Sequence, residues 1–248
     1  MSEKQGKSPS DLTLEGIKKI ICQSGYLLEL EIASLLEKNG WDVFFQYSYY
    51  DKKQDKVRAA DLLCFRKKLI GDFSHHNKVA IIIECKKSSK HGWAFHTIPK
   101  RGSQVGLWLL AEMLERIDEI KTGDVNNDLH WLKMDTKIAT HCCIPPNHPD
   151  DFYEALNQIL SDVNNIGLEL KNTLNGFTVF PIILFDGPMW EFYNENDALK
   201  VKEIDYVQFL SSALKTQEVK SYLIDIVKKS YFEQFLHLLD KTINTINK

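Results

Sequence analysis

The feature that most constrains the fold is an uninterrupted apolar run, Val79 to Ile83, that ends in Glu84, Cys85 and Lys86. A strand with one solvated face alternates apolar and polar residues, whereas a strand covered on both faces is apolar throughout. The run therefore predicts a central β-strand with one charged end. A chain of 248 residues, 44% of them hydrophobic, is large enough to bury such a strand.

Residue periodicity elsewhere predicts helices that alternate with strands. Predicted helices cover residues 27–36, 103–121, 150–171 and 231–246, and predicted strands cover residues 41–50, 57–65, 79–84, 136–144, 177–185, 189–193 and 222–227. The first helix stops at Asn39-Gly40, where a glycine is favoured just beyond a helix end. This order predicts an α/β fold with a central mixed β-sheet flanked by helices on both faces.

The same pattern predicts one domain over residues 11–248, after a disordered lead of residues 1–10, with residues 145–248 as a C-terminal α/β extension of the core. The first ten residues contain no apolar segment of a secretory signal. No apolar stretch approaches the roughly 20 residues that span a bilayer. The five cysteines lack the CxxC spacing of a zinc site and the pattern of a disulfide framework. We therefore expect a cytoplasmic protein that does not enter the membrane.

Chemistry is concentrated at the charged end of the predicted central strand. Glu84 and Lys86 are two residues apart, so they project from the same face of the strand. Asp61 lies within the preceding predicted strand, where Asp is uncommon. If the two strands are neighbours, Asp61 and Glu84 can share a metal ion. Mg²⁺ prefers carboxylate oxygens and activates water for phosphodiester hydrolysis, and Lys86 would orient that water and stabilise the developing charge.

Two segments carry a family resemblance. Asp61, followed by 22 residues and then Glu84-Cys85-Lys86, resembles the PD-(D/E)XK nuclease superfamily, although the proline that usually precedes the aspartate is Ala60 here. The stretch LLELEIASLLEKNGWDV, residues 27–43, resembles the first helix and strand of the restriction-enzyme and resolvase branches. The resemblance extends over residues 27–114. It implies a restriction-endonuclease-like fold with Glu29 as the acid on the first helix, and Glu31 is the rival if the register slips.

By this resemblance the chain is expected to be a Mg²⁺-dependent phosphodiesterase, with Mn²⁺ as an alternative metal. Asp61, Glu84 and the backbone carbonyl of Cys85 would bind the metal, and Glu29 and Lys86 would complete the catalytic group. The expected function is a DNA endonuclease with a restriction or defence role, which acts as a homodimer or with a partner subunit. Two alternatives stay open: an inactive nuclease-like binding or assembly subunit, and an RNA-processing or repair nuclease of the same fold.

A basic segment surrounds these residues. Between Asp51 and Arg101 there are 13 Lys and Arg against 5 Asp and Glu, in a chain whose net charge is −3. Such a segment favours a polyanion, although solvated hairpin charges would give the same composition. The residues expected to contact nucleic acid are Lys87, Lys90, Lys100, Arg101 and Gln104. Alternatively, Gln104 has a capping or surface role. Trp93 and Phe95 either stack on bases from a flexible loop or belong to the core.

Overall fold

A computed structural model of the chain describes residues 13–66, 78–88, 91–100, 136–145, 151–173, 177–215 and 218–246. Four α-helices occur in these ranges: α1 (Leu14–Gln23), α2 (Tyr26–Lys38), α3 (Asp151–Thr173) and α4 (Phe232–Ile246), the last preceded by a 3-10 turn, Lys229–Tyr231. The strands are β1 (Trp41–Asp51), β2 (Lys56–Arg66), β3 (Lys78–Lys87), β4 (Trp93–Pro99), β5 (Lys137–Cys143), β6 (Phe177–Asp186), β7 (Met189–Glu195), β8 (Ala198–Glu203), β9 (Tyr206–Lys215) and β10 (Glu218–Lys228).

The ten described strands form one mixed sheet in the order β1-β2-β3-β6-β10-β9-β5-β4-β7-β8. Strand β2 is antiparallel to both β1 and β3, and β3, β6 and β10 are parallel. The predicted α/β class with a mixed sheet is therefore confirmed. Because β6 lies beside β3, the charged end of β3 is next to the end of a strand from the second half of the chain.

Side chains of β3 divide between two hydrophobic clusters. Val79, Ile81 and Ile83 belong to the cluster that contains residues of α2 and α4, whereas Ala80 and Ile82 belong to the cluster that contains residues of α3. All five are fully buried. Removing an Ile or Val side chain from water contributes about 1.5–3 kcal/mol. The apolar run thus forms a buried strand, as its composition predicts.

The predicted end of the first helix is also confirmed. Helix α2 ends at Lys38, and Gly40 adopts a φ of 82°, a left-handed conformation that glycine accepts without steric cost. Helix α1 and strands β4, β8 and β9 were not predicted. The predicted helix at 103–121 and the predicted disordered lead lie outside the described residues.

Trp93 and Phe95 lie in β4 and not in a flexible loop. Both side chains are fully buried, and the Trp93 ring stacks on Phe185 with the ring centroids 3.7 Å apart. A strand position buried beneath α3 cannot present its ring to a nucleobase, so the base-stacking interpretation is wrong and the core interpretation is correct. Among the helices in the described ranges, none is both long and apolar enough to cross a bilayer.

Candidate active site

Asp61 and Glu84 lie opposite each other on adjacent antiparallel strands. The register pairs Leu62 of β2 with Ile83 of β3, and one further step places Asp61 opposite Glu84. Directly opposed residues project from the same face with their Cβ atoms about 5 Å apart. The backbone N–H of Cys85 donates to Asp61 Oδ2 at 2.8 Å, and the Asp61 and Glu84 carboxyl groups are close enough for each to affect the pKa of the other. The structure thus brings both predicted acids together.

The Glu84 carboxyl group is 4% exposed and incompletely satisfied. Its Oε1 atom lies 2.9 Å from Lys86 Nζ, while its buried Oε2 atom receives no N–H or O–H donor from the described residues. Burial raises the pKa of Glu84 to about 8, and the neighbouring Asp61 adds to the rise. A buried carboxylate oxygen that faces a second carboxyl group requires either a proton or a cation between them.

Lys86 remains charged in this setting. Burial alone would lower the pKa of Lys86, but the adjacent Glu84 and Asp61 outweigh it and raise the pKa above the usual value for lysine. The ammonium group is about a quarter exposed, with a side-chain relative accessibility of 27%, so it reaches the solvent side of the carboxyl pair. A positive charge is therefore fixed where a substrate phosphate would approach.

The structure distinguishes between the two candidate acids of α2. Glu29 is buried and accepts a hydrogen bond from Gln46 Nε2 at 2.9 Å. Burial raises the pKa of Glu29, and Asp61 is close enough to contribute to the rise. Glu31 instead points to solvent and forms an ion pair with Lys229. Glu29 is thus the helix acid that faces the site, in the register predicted by the resemblance.

The donor set fits Mg²⁺ better than a closed zinc site. In the described part of the chain, no group of three or more His, Cys, Asp or Glu side chains is arranged to hold a metal ion. Mg²⁺ commonly takes only one or two carboxylates and fills its remaining positions with water and substrate phosphate, whereas structural zinc takes four protein ligands. Asp61 and Glu84 supply the two carboxylates that a Mg²⁺ site needs. The Oε2 atom of Glu84 has no donor among the described residues and is available to such an ion. Coordination by the backbone carbonyl of Cys85 stays a prediction.

A third acid, Asp162 of α3, lies near these carboxyl groups and was not predicted. It is fully buried, and its Oδ1 atom accepts hydrogen bonds from the Tyr49 hydroxyl at 2.7 Å and from Gln158 Nε2 at 2.9 Å. Its Oδ2 atom is buried and has no donor within the part of the chain that the structure describes. Burial raises the pKa of Asp162 to about 7, and its charge contributes to the raised pKa of Glu84.

The sequence does contain a signal for Asp162. Helix α3 buries one stripe of side chains at helical spacing, and Asp162 occupies a position in that stripe. The apolar members of the stripe are Phe152, Ala155, Ile159, Ile166 and Leu170. A charged residue in the apolar stripe of a helix must find polar partners inside the protein, so it marks a polar site in the core.

The first turn of α3 is fixed beside the end of β3 by Asp151. Its Oδ1 atom accepts a hydrogen bond from Trp93 Nε1 at 3.0 Å, and its Oδ2 atom lies 2.9 Å from His91 Nε2. His91 Nδ1 is in turn 3.2 Å from the Ser88 hydroxyl. These contacts fix α3 relative to β3 and so determine where Asp162 lies with respect to Glu84.

Replacing Tyr49 by phenylalanine is expected to lower the free energy of unfolding by about 1–3 kcal/mol, because it removes a buried hydroxyl that donates to Asp162. Urea denaturation monitored by circular dichroism measures the change. Tyr50→Phe is the matched control, since the Tyr50 hydroxyl contacts exposed Asp55 and its loss should change stability by less than about 0.5 kcal/mol. Equal effects of the two substitutions would contradict the importance of the Tyr49–Asp162 contact.

The predicted nucleic-acid contacts need one correction. Lys100 is fully buried and donates to Gln208 Oε1 of β9, and burial lowers the pKa of its ammonium group to about 8. Its side chain is used inside the protein, so the prediction that Lys100 contacts nucleic acid is wrong. Lys87 is exposed at the end of β3. Lys90, Arg101 and Gln104 lie outside the described residues.

Comparison with known families, with curated proteins and with solved structures finds no match for this chain. The arrangement of Asp61, Glu84, Lys86 and Glu29 is therefore the basis for a functional assignment.

Proposed function

We propose that the protein is a metal-dependent nuclease of the PD-(D/E)XK type that hydrolyses phosphodiester bonds, with DNA as its substrate. The observation that carries the proposal is the meeting of Asp61, Glu84 and Lys86 at the end of β3, with Glu29 on the adjacent helix. The association of β3 with α2 and α4 in one cluster and with α3 in the other supports a restriction-endonuclease-like fold.

Each of these side chains has a defined task in the proposed reaction. Asp61 and Glu84 would hold a Mg²⁺ or Mn²⁺ ion, which supplies an acidified water and a polarised phosphoryl group. Lys86 places its ammonium group beside Glu84, where it orients the attacking water and stabilises the negative charge that develops on the phosphate. Glu29 supports Asp61 from the side of α2.

DNA is the proposed substrate because of the basic segment and the restriction-enzyme likeness of residues 27–43. Phosphate contacts dominate nonspecific affinity for DNA, so binding should weaken steeply with added salt. A restriction or defence role and action as a homodimer or with a partner subunit rest on the same likeness, and folds alone do not fix such roles.

The proposal is tested by nicking of supercoiled plasmid in Mg²⁺ or Mn²⁺ and in EDTA. Cleavage should require the metal and should disappear in Glu84→Gln, which preserves the shape of the side chain and removes its negative charge. Glu31→Gln is the matched control, because Glu31 is an acid of α2 that faces Lys229 instead of the site. Activity that survives Glu84→Gln would remove the site assignment.

Two further results would redirect the proposal. A single-stranded or structured RNA assayed in parallel and cleaved in preference to plasmid would indicate the RNA-processing alternative. Binding of nucleic acid without cleavage in either metal would indicate the assembly subunit.

The two lysines of the predicted nucleic-acid surface should respond differently to substitution. Lys87→Ala is expected to weaken DNA binding without a change in stability. The slope of log affinity against log salt concentration should fall by about one, the equivalent of one released counterion. Lys100→Met is expected to leave DNA affinity unchanged and to lower the free energy of unfolding by about 1–3 kcal/mol, because the buried Gln208 Oε1 atom loses its donor. Fluorescence anisotropy over a salt series measures DNA affinity, and urea denaturation measures the free energy of unfolding. Weaker binding by Lys100→Met would restore the original prediction for that residue.

A further inference from the structure

Gln46 occupies an unusual place in the edge strand β1. The register pairs Phe45 with Leu62 and Tyr47 with Ala60, so Gln46 falls opposite Asp61. Its φ is 46°, in the left-handed region that residues other than glycine rarely adopt inside a strand. Backbone strain of this kind costs free energy, and it persists only where the surroundings or a function require the conformation.

The Gln46 side chain connects two acids from different elements. Its Nε2 atom donates to Glu29 Oε2 at 2.9 Å, and the same side chain lies opposite Asp61, where it acts to lower the pKa of the Asp61 carboxyl group that burial raises. An amide NH₂ group carries two donor hydrogens, so one side chain can serve two carboxylates. Glu29 and Asp61 repel each other, and the Gln46 amide, which bonds to Glu29 and lies opposite Asp61, offsets this repulsion.

A purely structural role does not account for the strain. Gln46 is exposed, and a glutamine that only satisfied Glu29 would gain nothing from a left-handed backbone. The left-handed conformation coincides with the one position of β1 that faces Asp61 across the sheet. Strained residues cluster at functional sites because function, and not stability, selects their geometry.

We propose that Gln46 is a positioning residue of the site, one that holds the carboxylates of Glu29 and Asp61 at a fixed separation through its amide group. This inference rests on the proposed function, since a fixed separation matters only where a cation and its water must be received. Without the amide, repulsion moves Glu29 away from Asp61, and the site must reorganise each time that a cation binds. Gln46 then affects metal affinity more than the chemical step at saturating metal.

Gln46→Gly tests the inference because it separates function from stability. Glycine accepts the left-handed backbone, and this gain offsets the lost hydrogen bond to Glu29, so the metal-free variant should stay folded and melt within about 4 °C of the natural protein. Its affinity for Mn²⁺, measured by isothermal titration calorimetry, should fall at least about tenfold, the ratio that corresponds to one lost charge-assisted hydrogen bond. Cleavage should fall at limiting Mn²⁺ and recover in large part at saturating Mn²⁺.

Two variants complete the experiment. Gln46→Met keeps the approximate length of the side chain and removes both donors without adding a charge or a metal ligand, so it should also weaken Mn²⁺ binding if the donors are what matters. Asp197→Gly is the matched control. Asp197 has a φ of 60° in the turn between β7 and β8, where glycine should raise the melting temperature and leave Mn²⁺ affinity unchanged.

The outcomes are distinct for the inference and for the proposed function. Natural protein that binds Mn²⁺ through Asp61, together with Gln46→Gly that binds it equally well, would overturn the inference and leave the nuclease proposal intact. Natural protein that binds no Mn²⁺, with the same result for Asp61→Ala, would overturn both. Gln46→Gly that stays folded and binds Mn²⁺ more weakly is the expected result.

Discussion

Replacing Lys86 by alanine is expected to lower the rate of phosphodiester cleavage about 100- to 1,000-fold at saturating metal, because a preorganised charge at the reacting phosphate is worth that much in comparable sites. The Lys86 ammonium group lies 2.9 Å from Glu84 Oε1 and keeps its charge because two carboxyl groups flank it. A single-turnover cleavage assay isolates the chemical step from product release. Affinity for DNA should change much less than the rate.

Lys137→Ala is the control for Lys86→Ala. Lys137 also forms an ion pair with a glutamate, 3.1 Å from Glu191 Oε1, but on β5, four strands away from β3 in the sheet. Removing this pair should leave the cleavage rate unchanged. A Lys86→Ala rate within about threefold of the natural rate would show that the ammonium group has no part in the chemistry, since even one general acid–base or electrostatic contribution exceeds that factor.

The metal-free protein is expected to lose a few kcal/mol of stability, about 1.4 kcal/mol for each unit of pKa difference, as the pH rises from about 4.5 to about 8. In the folded protein the pKa of Glu84 is raised to about 8 from an ordinary value of 4.5, and that of Asp162 to about 7 from 3.8. Between the two values the unfolded chain has released a proton that the folded protein still holds. Raising the pH therefore favours unfolding over this interval, and the loss is complete above about pH 8.

Urea denaturation in EDTA at pH 5.5, 7 and 8.5 measures this slope. Glu84→Gln should make stability depend less on pH, because the amide is neutral at every pH. Asp162→Asn should remove a further part of the pH dependence below pH 7. Mg²⁺ should restore stability at pH 8.5 in the natural protein, since a cation bound to Asp61 and Glu84 replaces the proton. Stability that rises between pH 5.5 and 8.5 in EDTA would mean that Glu84 is ionised in the metal-free protein.

Local sequence patterns predict the central part of the sheet and the position of the acids because a few neighbouring residues show which side chains are buried and which share a face. The apolar run of β3 is apolar at every position, and both faces are covered in the structure. The helical spacing of α2 also distinguishes Glu29 from Glu31 as the acid that faces the site. Glu29 lies on the same face of α2 as buried Ala33 and Leu36, whereas Glu31 falls on the exposed side.

Long-range contacts explain the errors. Lys100 follows a strand in a basic segment and therefore has the features of a surface cation, but it is buried by Gln208 of β9, more than 100 residues later in the chain. Strand β8 has Leu199 and Val201 alternating with lysines, but all six of its residues are exposed, so its pairing with β7 and not burial determines its conformation. No local sequence pattern identifies Gln46, because its partners are Glu29 on a helix and Asp61 on a neighbouring strand.

The strand order makes the site a property of the whole chain. β3 carries two of the key side chains, yet its second neighbour is β6, which begins 99 residues after β3 begins, at Phe177 against Lys78. A fragment that stopped before β6 would retain every residue of the catalytic group and would expose an unpaired apolar strand edge, the kind of edge that recruits other chains into aggregates. The pairing of β3 with β6 joins segments that are far apart in sequence, and such non-local pairing slows folding. The second half of the chain therefore acts as the scaffold on which the acids of the first half become a site.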